Sequence, residues 1–207
     1  MSNKFSYFRE ILDSCRANES RPERARLLDV GCRGCELKPY VGDVVEYDGA
    51  DLVQNSAGTV RFVGDLEKGL PVADQAYDYV VALDVVEHLE DPVAGIDELL
   101  RVTRSHLFVM IPNIAHWIPR TKFFLKGEIS RKYDFVFPPP RDRHRWLTTQ
   151  TQADRFFEQY GSARKVSLAT HWHLDGPRKT RVAKVMRRIG FSPAMWVWAS
   201  LYVLSRA

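Results

Sequence analysis

The chain has 207 residues, 45% of them hydrophobic, with 30 basic and 26 acidic side chains and a formal net charge of +4. Length and apolar content suffice for one domain with a sizeable core. Three cysteines exclude a disulfide framework, the apolar run Ala194–Leu204 is too short to span a bilayer, and no secretory signal is visible, so a reducing, cytoplasmic setting is expected.

The charge is unevenly placed. No acidic residue lies between Gly176 and Ala207, where Arg178, Lys179, Arg181, Lys184, Arg187, Arg188 and Arg206 do. A second basic stretch runs from Arg120 to Arg145. Such stretches are either solvated faces or surfaces that meet a phosphorylated substrate, an anionic membrane or a polyanion.

In chain order, Phe5, Phe8, Ile11, Leu12 and Cys15 recur at helical spacing and predict an amphipathic helix over residues 4–16. The first strand is expected at Arg26–Val30, a short helix at Glu36–Tyr40, the second strand at Val44–Ala50 and the third at Val60–Gly64. Tyr79–Leu83 is a nearly continuous apolar run, as a central strand covered on both faces requires. A helix is expected over Pro92–Thr103, with proline suited to its first turn, and a fifth strand over Leu107–Ile111, stopped by Pro112-Asn113.

Residues 114–147 break this rhythm with aromatics, basic residues and Pro138-Pro139-Pro140, and are expected to form an irregular lid or binding loop. Thr149 with Gln152 three residues on is a capping-box pattern for a helix that Gly161 would end. A sixth strand is expected over Arg164–His173, a helix over Lys179–Ile189 and a closing strand over Met195–Leu204. Trp196, Trp198 and Tyr202 alternate with a strand period there and are expected to finish the core. Strands alternating with helices imply a doubly wound, mostly parallel sheet.

The most informative segment is Arg26-Leu-Leu-Asp29-Val-Gly31-Cys32-Arg33-Gly34. It reads as a buried strand running into a tight glycine turn, the place where a nucleotide-like ligand lies in an α/β sheet. Asp51 ends the second strand, Asp65-Leu66 follows the third, and Leu83-Asp84-Val-Val-Glu87-His88-Leu89 follows the fourth. Suitable residues therefore stand at four successive strand ends.

With these motifs the chain resembles the class I S-adenosylmethionine-dependent methyltransferases, and most closely the small-molecule group that includes the quinone-biosynthesis enzymes. The match runs from about Leu27 to Asn113 and is strongest from Gly69-Leu-Pro-Val-Ala-Asp through Asp84-Val-Val-Glu-His-Leu-Glu-Asp-Pro92. The resemblance implies a Rossmann-like α/β fold: a seven-stranded, mostly parallel sheet with an antiparallel last strand and a lid insertion after strand five. It divides a single domain, 1–207, into a cofactor-binding half (1–113), a lid (114–148) and a C-terminal helix–strand portion (149–207).

It further implies S-adenosylmethionine as cofactor. Asp29, Gly31 and Gly34 would shape the turn beneath its methionine part, and Asp51, followed by Leu52, would accept from both ribose hydroxyls. Asp65 would accept from the adenine amino group, Leu66 would meet the ring edge, and Leu83 and Asp84 would line the methionine part. Arg33 and Cys35 stand where the family's usual Asp-x-Gly-x-Gly-x-Gly turn has glycine, so the turn is expected to differ locally.

Methyl transfer requires an aligned acceptor and, where needed, a base for its proton. His88 is the first candidate for that base, followed by His116 and His144; Tyr133 is a lesser candidate for substrate contact. Asp84-x-x-Glu87-His88 also resembles the acidic-x-x-Glu-His metal site of methyltransferases acting on catechols or RNA ribose, but no further ligand is visible and no metal is assigned. His171 with His173, and Cys32 with Cys35, are expected to be structural.

The expected function is methyl transfer to a small, anionic or glycan- or lipid-linked acceptor, oxygen slightly favoured, with peripheral membrane contact open and nucleic acid disfavoured. The alternative is a non-catalytic methyltransferase-like domain that binds a partner or an anionic membrane surface. A nicotinamide oxidoreductase is disfavoured because Gly-x-Gly-x-x-Gly is absent.

Overall fold

The computed structural model describes residues 3–17, 24–128, 137–138, 143–174 and 177–206. Seven strands form one sheet: β1 (Arg26–Val30), β2 (Glu46–Asp51), β3 (Phe62–Val63), β4 (Tyr77–Leu83), β5 (Thr103–Pro112), β6 (Ser167–His173) and β7 (Ala199–Ser205). Their spatial order is β3-β2-β1-β4-β5-β7-β6. β1 to β5 pair in parallel, and β7 runs antiparallel between β5 and β6, as the resemblance implies. The helices are α1 (Lys4–Ala17), α2 (Lys38–Val41), α3 (Pro92–Val102), α4 (Trp117–Lys126), α5 (Gln150–Arg164), α6 (Pro177–Arg188) and α7 (Pro193–Trp196).

The chain reverses its strand order at β1, which pairs with both β2 and β4. Ligands of open α/β sheets lie at such a switch point, outside the C-terminal strand ends. β4 is buried along its whole length, which is why Tyr79–Leu83 is apolar throughout rather than alternating; its one charged residue, Asp78, accepts from Arg26 N–H and the Arg104 guanidinium. One face of the sheet carries a core of Leu28, Val80, Ile96, Leu99, Phe157 and Tyr202 beneath α3 and α5. The other carries Phe8, Leu12, Leu27, Val81, Phe108 and Leu201 beneath α1 and α2.

Two local devices set the helix starts near the site. Asp91 caps α3, accepting from Val93 and Ala94 backbone N–H at 2.9 and 3.0 Å, and Pro92 occupies the first turn. Thr149 and Gln152 complete the expected capping box of α5. α5 is tied back to α3 by Asp97, which accepts from Tyr160 Oη and Arg164 Nε, each at 2.7 Å.

Four expectations are corrected. The irregular stretch contains α4, capped by His116 and closed by Gly127 at φ +67, because the capping imidazole and the terminal glycine outweigh the aromatics and Pro119. α5 runs past Gly161 to Arg164: that glycine is buried within the helix without a positive φ, and Lys165 takes the left-handed ending at φ +54. The closing strand starts at Ala199, since Pro193 first opens α7. Trp196 therefore packs from a helix, edge-on to Trp172 at 5.4 Å, while Tyr202 enters the core as expected. The expectations on Tyr133, Pro139 and Pro140 fall outside the described residues. Among the described residues no helix is long and apolar enough to cross a membrane.

Candidate active site

The C-terminal end of β4 separates two cavities. The first, of about 220 Å³, is lined by Asp29, Gly31, Cys32, Arg33, Leu83 and Asp84 and closed above by Lys4 and Phe5 of α1. Gly31 turns at φ +74, and a Cβ there would stand 2.5 Å from Val85 Cγ2, so only glycine lets the first turn pass the β4 loop this closely. The backbone N–H groups of Gly31 and Cys32 both donate to Ala50 O, at 2.8 and 3.2 Å, which curls the turn toward β2.

Arg33 and Cys35 take φ +49 and +57, the conformation glycine would adopt. Non-glycine residues there store strain of roughly 1–3 kcal/mol each, a cost often tolerated at functional sites. The Arg33 backbone N–H donates to Asp51 Oδ2 at 2.8 Å, so the turn and the end of β2 are locked together. Cys32 and Cys35 are buried with their sulfurs 3.7 Å apart and pack on Val60 and Tyr47; burial pushes the Cys32 thiol up, which suits a packing role.

Asp29 lies at the floor of this cavity, 5% exposed. Burial raises its pKa to about 7, opposed by the Tyr47 hydroxyl, which donates to it at 2.7 Å, and by the charge of Lys4. Asp84 is held at φ +61 with its carboxylate 2.7 Å from Lys4 Nζ. That ion pair swings it toward the first cavity and away from Glu87 and His88, so the acidic-x-x-Glu-His set is not assembled as its spacing suggested. Gly34 and Leu52 are exposed and Leu66 is buried, and neither these three nor Asp51 and Asp65 are among the residues lining this cavity. Asp65 caps the 3-10 turn Leu66–Lys68; the hydrogen bond from Lys68 holds its carboxyl below the usual carboxylate range.

The second cavity, of about 630 Å³, lies between the N-terminal ends of α3 and α5. Ile111, Trp146, Leu147, Phe156 and Phe157 give it an apolar wall, and Glu87, Glu90 and Asp91 line it with acids. The segment after residue 142 is brought here by backbone bonds: Arg145 and Trp146 N–H both donate to Glu87 O, at 2.9 and 3.2 Å. Trp146 Nε1 donates to Leu89 O at 2.8 Å. Buried Asn113 ties the same corner down, donating to Ala194 O and Val197 O and accepting from Gln150 N–H.

These contacts place His144 against His88, with ring centroids 4.5 Å apart, and its Nε2 3.7 Å from Glu87 Oε1. Two of the three expected histidines thus converge. His116 does not join them: it caps α4 through Nδ1, which accepts from Ile118 N–H at 3.3 Å, and its ring lies 4.3 Å from Trp198. Glu87, 2% exposed, lines this cavity; in the sequence it stands out only as part of the acidic-x-x-Glu-His pattern, to which no role is assigned. His171 and His173 lie on β6, away from both cavities, and burial lowers the His171 pKa.

Comparison with known proteins agrees with this architecture. Ajmaline N-methyltransferase from Rauvolfia serpentina is 30% identical over 93 residues, which is 44% of this chain and 31% of that enzyme. A SAM-dependent methyltransferase from Archaeoglobus fulgidus superposes with a TM-score of 0.60 at 11% identity, covering 99% of this chain and 95% of that one. Magnesium protoporphyrin IX methyltransferase from Synechocystis PCC 6803, solved with bound SAH, gives 0.57 at 15% identity over 98% of this chain and 83% of that one. At these identities the likenesses establish the class I methyltransferase fold that the strand-end motifs implied. The model of the family described as methionine biosynthesis protein MetW matches residues 13–150, two thirds of the chain, and this protein belongs to that family.

Proposed function

We propose that this protein transfers a methyl group from S-adenosylmethionine to a small molecule held between α3 and α5. The observation that carries this reading is the pair of cavities on either side of the β4 end: Leu83 and Asp84 line one, and Val86 and Glu87 line the other. A donor and an acceptor bound there would meet over the loop between them.

The first cavity fits the cofactor. Gly31 leaves room that any side chain would fill, and Asp29 and Asp84 in its lining offer negative charge to a ligand bearing a sulfonium and an ammonium, with Asp51 beyond Arg33 at the end of β2. The cofactor, when bound, supplies an electrophilic methyl group on a good leaving group. Asp51, followed by Leu52, holds the ribose hydroxyls; Asp65 and Leu66 meet the adenine; Asp29, Gly31 and Gly34 shape the floor; Leu83 and Asp84 flank the methionine part. The positive φ of Arg33 and Cys35 preserves the turn without its glycines, so the reason for a non-catalytic alternative weakens.

On the acceptor side, His88 Nδ1 lies 2.9 Å from Arg143 O. A carbonyl only accepts, so Nδ1 carries the proton of the neutral ring and Nε2 keeps the lone pair; Nε2 is buried beside Glu87, which lines the cavity, so it takes the acceptor's proton once the side chains covering it give way. His144 and Glu87 stand beside it to orient and charge-balance that ring.

The wall favours an acceptor with a flat apolar body and a neutral or cationic reacting end. Three of the described basic residues in the stretch that suggested an anionic acceptor have other partners: Arg145 pairs with Glu90, Lys122 with Glu128, and Arg120 bonds to Ala115 O. Likeness to a plant N-methyltransferase supports nitrogen beside oxygen as the nucleophile.

The test is calorimetric titration with S-adenosylmethionine and, separately, S-adenosylhomocysteine, followed by a screen of small aromatic amines and phenols. Micromolar binding of both is expected. A folded protein that binds neither would overturn the reading.

A further inference from the structure

Three donor groups gather beside the acceptor cavity, which Glu87 lines, with a geometry that proton transfer alone does not require. One carboxylate oxygen of Glu87 and one ring nitrogen each of His88 and His144 lie within 4.8 Å of one another. Both Glu87 oxygens and both Nε2 atoms are out of contact with solvent. The three residues come from segments 56 positions apart, joined by the backbone bonds from Arg145 and Trp146 to Glu87 O.

A second observation concerns the tautomer. The bond from His88 Nδ1–H to Arg143 O fixes the ring and leaves Nε2 as the basic nitrogen, facing the other two groups. A carbonyl holding the distal N–H is the usual support of a metal-binding histidine, since it sets the tautomer and raises the basicity of the ligating nitrogen.

We propose that Glu87, His88 and His144 bind one divalent transition-metal ion, of the zinc or manganese class, with Glu87, which lines the acceptor cavity, as the ligand nearest the acceptor. Two imidazoles and one carboxylate with open positions form a donor set for such an ion rather than for magnesium or calcium, which take oxygen ligands. Around a tetrahedral ion with bonds of ~2.1 Å the donors would stand roughly 3.4 Å apart, so binding draws these side chains inward by about 1 Å. The set omits Asp84, which pairs with Lys4 on the other side of the strand end, and gains His144 in its place. In the loaded state the histidines are ligands, and the ion holds an oxygen or nitrogen of the acceptor and lowers its pKa. That role rests on the acceptor-cavity reading above; the binding of the ion does not.

The test is calorimetric titration of the full chain, stripped with EDTA, with zinc chloride and separately with manganese and magnesium chlorides. We expect one equivalent of zinc at micromolar affinity or tighter, with manganese weaker and magnesium weakest. Glu87→Gln, His88→Ala and His144→Ala should each weaken zinc by roughly a hundredfold, and His171→Ala should not. S-adenosylhomocysteine titration of each variant reports on the nucleoside cavity independently, so loss of the ion site and failure of the methyltransferase reading are told apart. In the wild type, imidazole ¹⁵N spectra should show zinc-induced shifts at His88 and His144 Nε2, a readout that needs no variant to fold. Absence of stoichiometric binding, shifts at other histidines only, or full affinity in all three variants would each overturn the proposal.

Discussion

The two cavities on either side of β4 are built in opposite ways. The proposed nucleoside side draws on successive strands in chain order: Asp29 within β1, Asp51 and Leu83 at the ends of β2 and β4, and Leu66 after β3. The acceptor side joins residues 86–93 to residues 146–157 and depends on backbone bonds between distant segments. A site carried by parallel strands inherits the rigidity of the sheet. A site clamped by loop bonds can change its lining without disturbing the fold, which is how one scaffold serves many acceptors.

The largest expected effect would break the first half of this contrast. Asp51→Ala removes two charge-assisted hydrogen bonds of about 1.5–3 kcal/mol each, so S-adenosylhomocysteine affinity should fall at least a hundredfold while circular dichroism stays unchanged. Unchanged affinity would remove Asp51 from the ribose.

Next in size, His88→Ala should lower turnover by about 10²- to 10⁴-fold with S-adenosylhomocysteine affinity within about twofold of wild type. Parallel loss of both would show that the two cavities are not independent. Val93→Trp narrows the mouth of the second cavity from a half-exposed position, and we expect the acceptor KM to rise about tenfold with no change in cofactor affinity.

A smaller effect follows from Asp29, whose pKa is raised to about 7 by burial. A carboxyl raised above its unfolded value favours folding when protonated, so stability is highest below about pH 4 on this account and declines as pH rises toward 7. Cofactor binding runs the other way. The ionised carboxylate attracts the sulfonium, so S-adenosylmethionine affinity should rise several-fold between about pH 6 and 8, and that of the neutral sulfide should rise less. Tyr47, Lys4, Glu36 and Asp51 face the group and set the midpoint. Calorimetry on Asp29→Asn should find the difference between the two ligands flattened.

The smallest is Arg33→Gly. Relief of a positive φ should raise stability by less than about 1 kcal/mol, and cofactor affinity should hold because the bond to Asp51 comes from the backbone. A clear drop in affinity would assign the guanidinium a direct contact.

The alternation of strands and helices, the glycine turn and the carboxylates at strand ends were legible in the sequence. They follow from local rules: a buried parallel strand must be apolar throughout, a capping box must carry its side chains three residues apart, and a turn must contain residues that tolerate it. Tertiary structure alone decided which residues meet. Asp84 carries the right spacing for Glu87 and His88, yet a left-handed backbone and an ion pair with Lys4, 80 residues away, turn it to the other cavity. His144 carries no spacing signal at all and reaches the site because two N–H groups beside it find Glu87 O. Gly161 looked like a helix end and proved to lie inside α5, which Lys165 closes instead. Local propensity is written in neighbouring residues, whereas convergence depends on hydrogen bonds and ion pairs closed across long loops, which one-dimensional patterns do not encode.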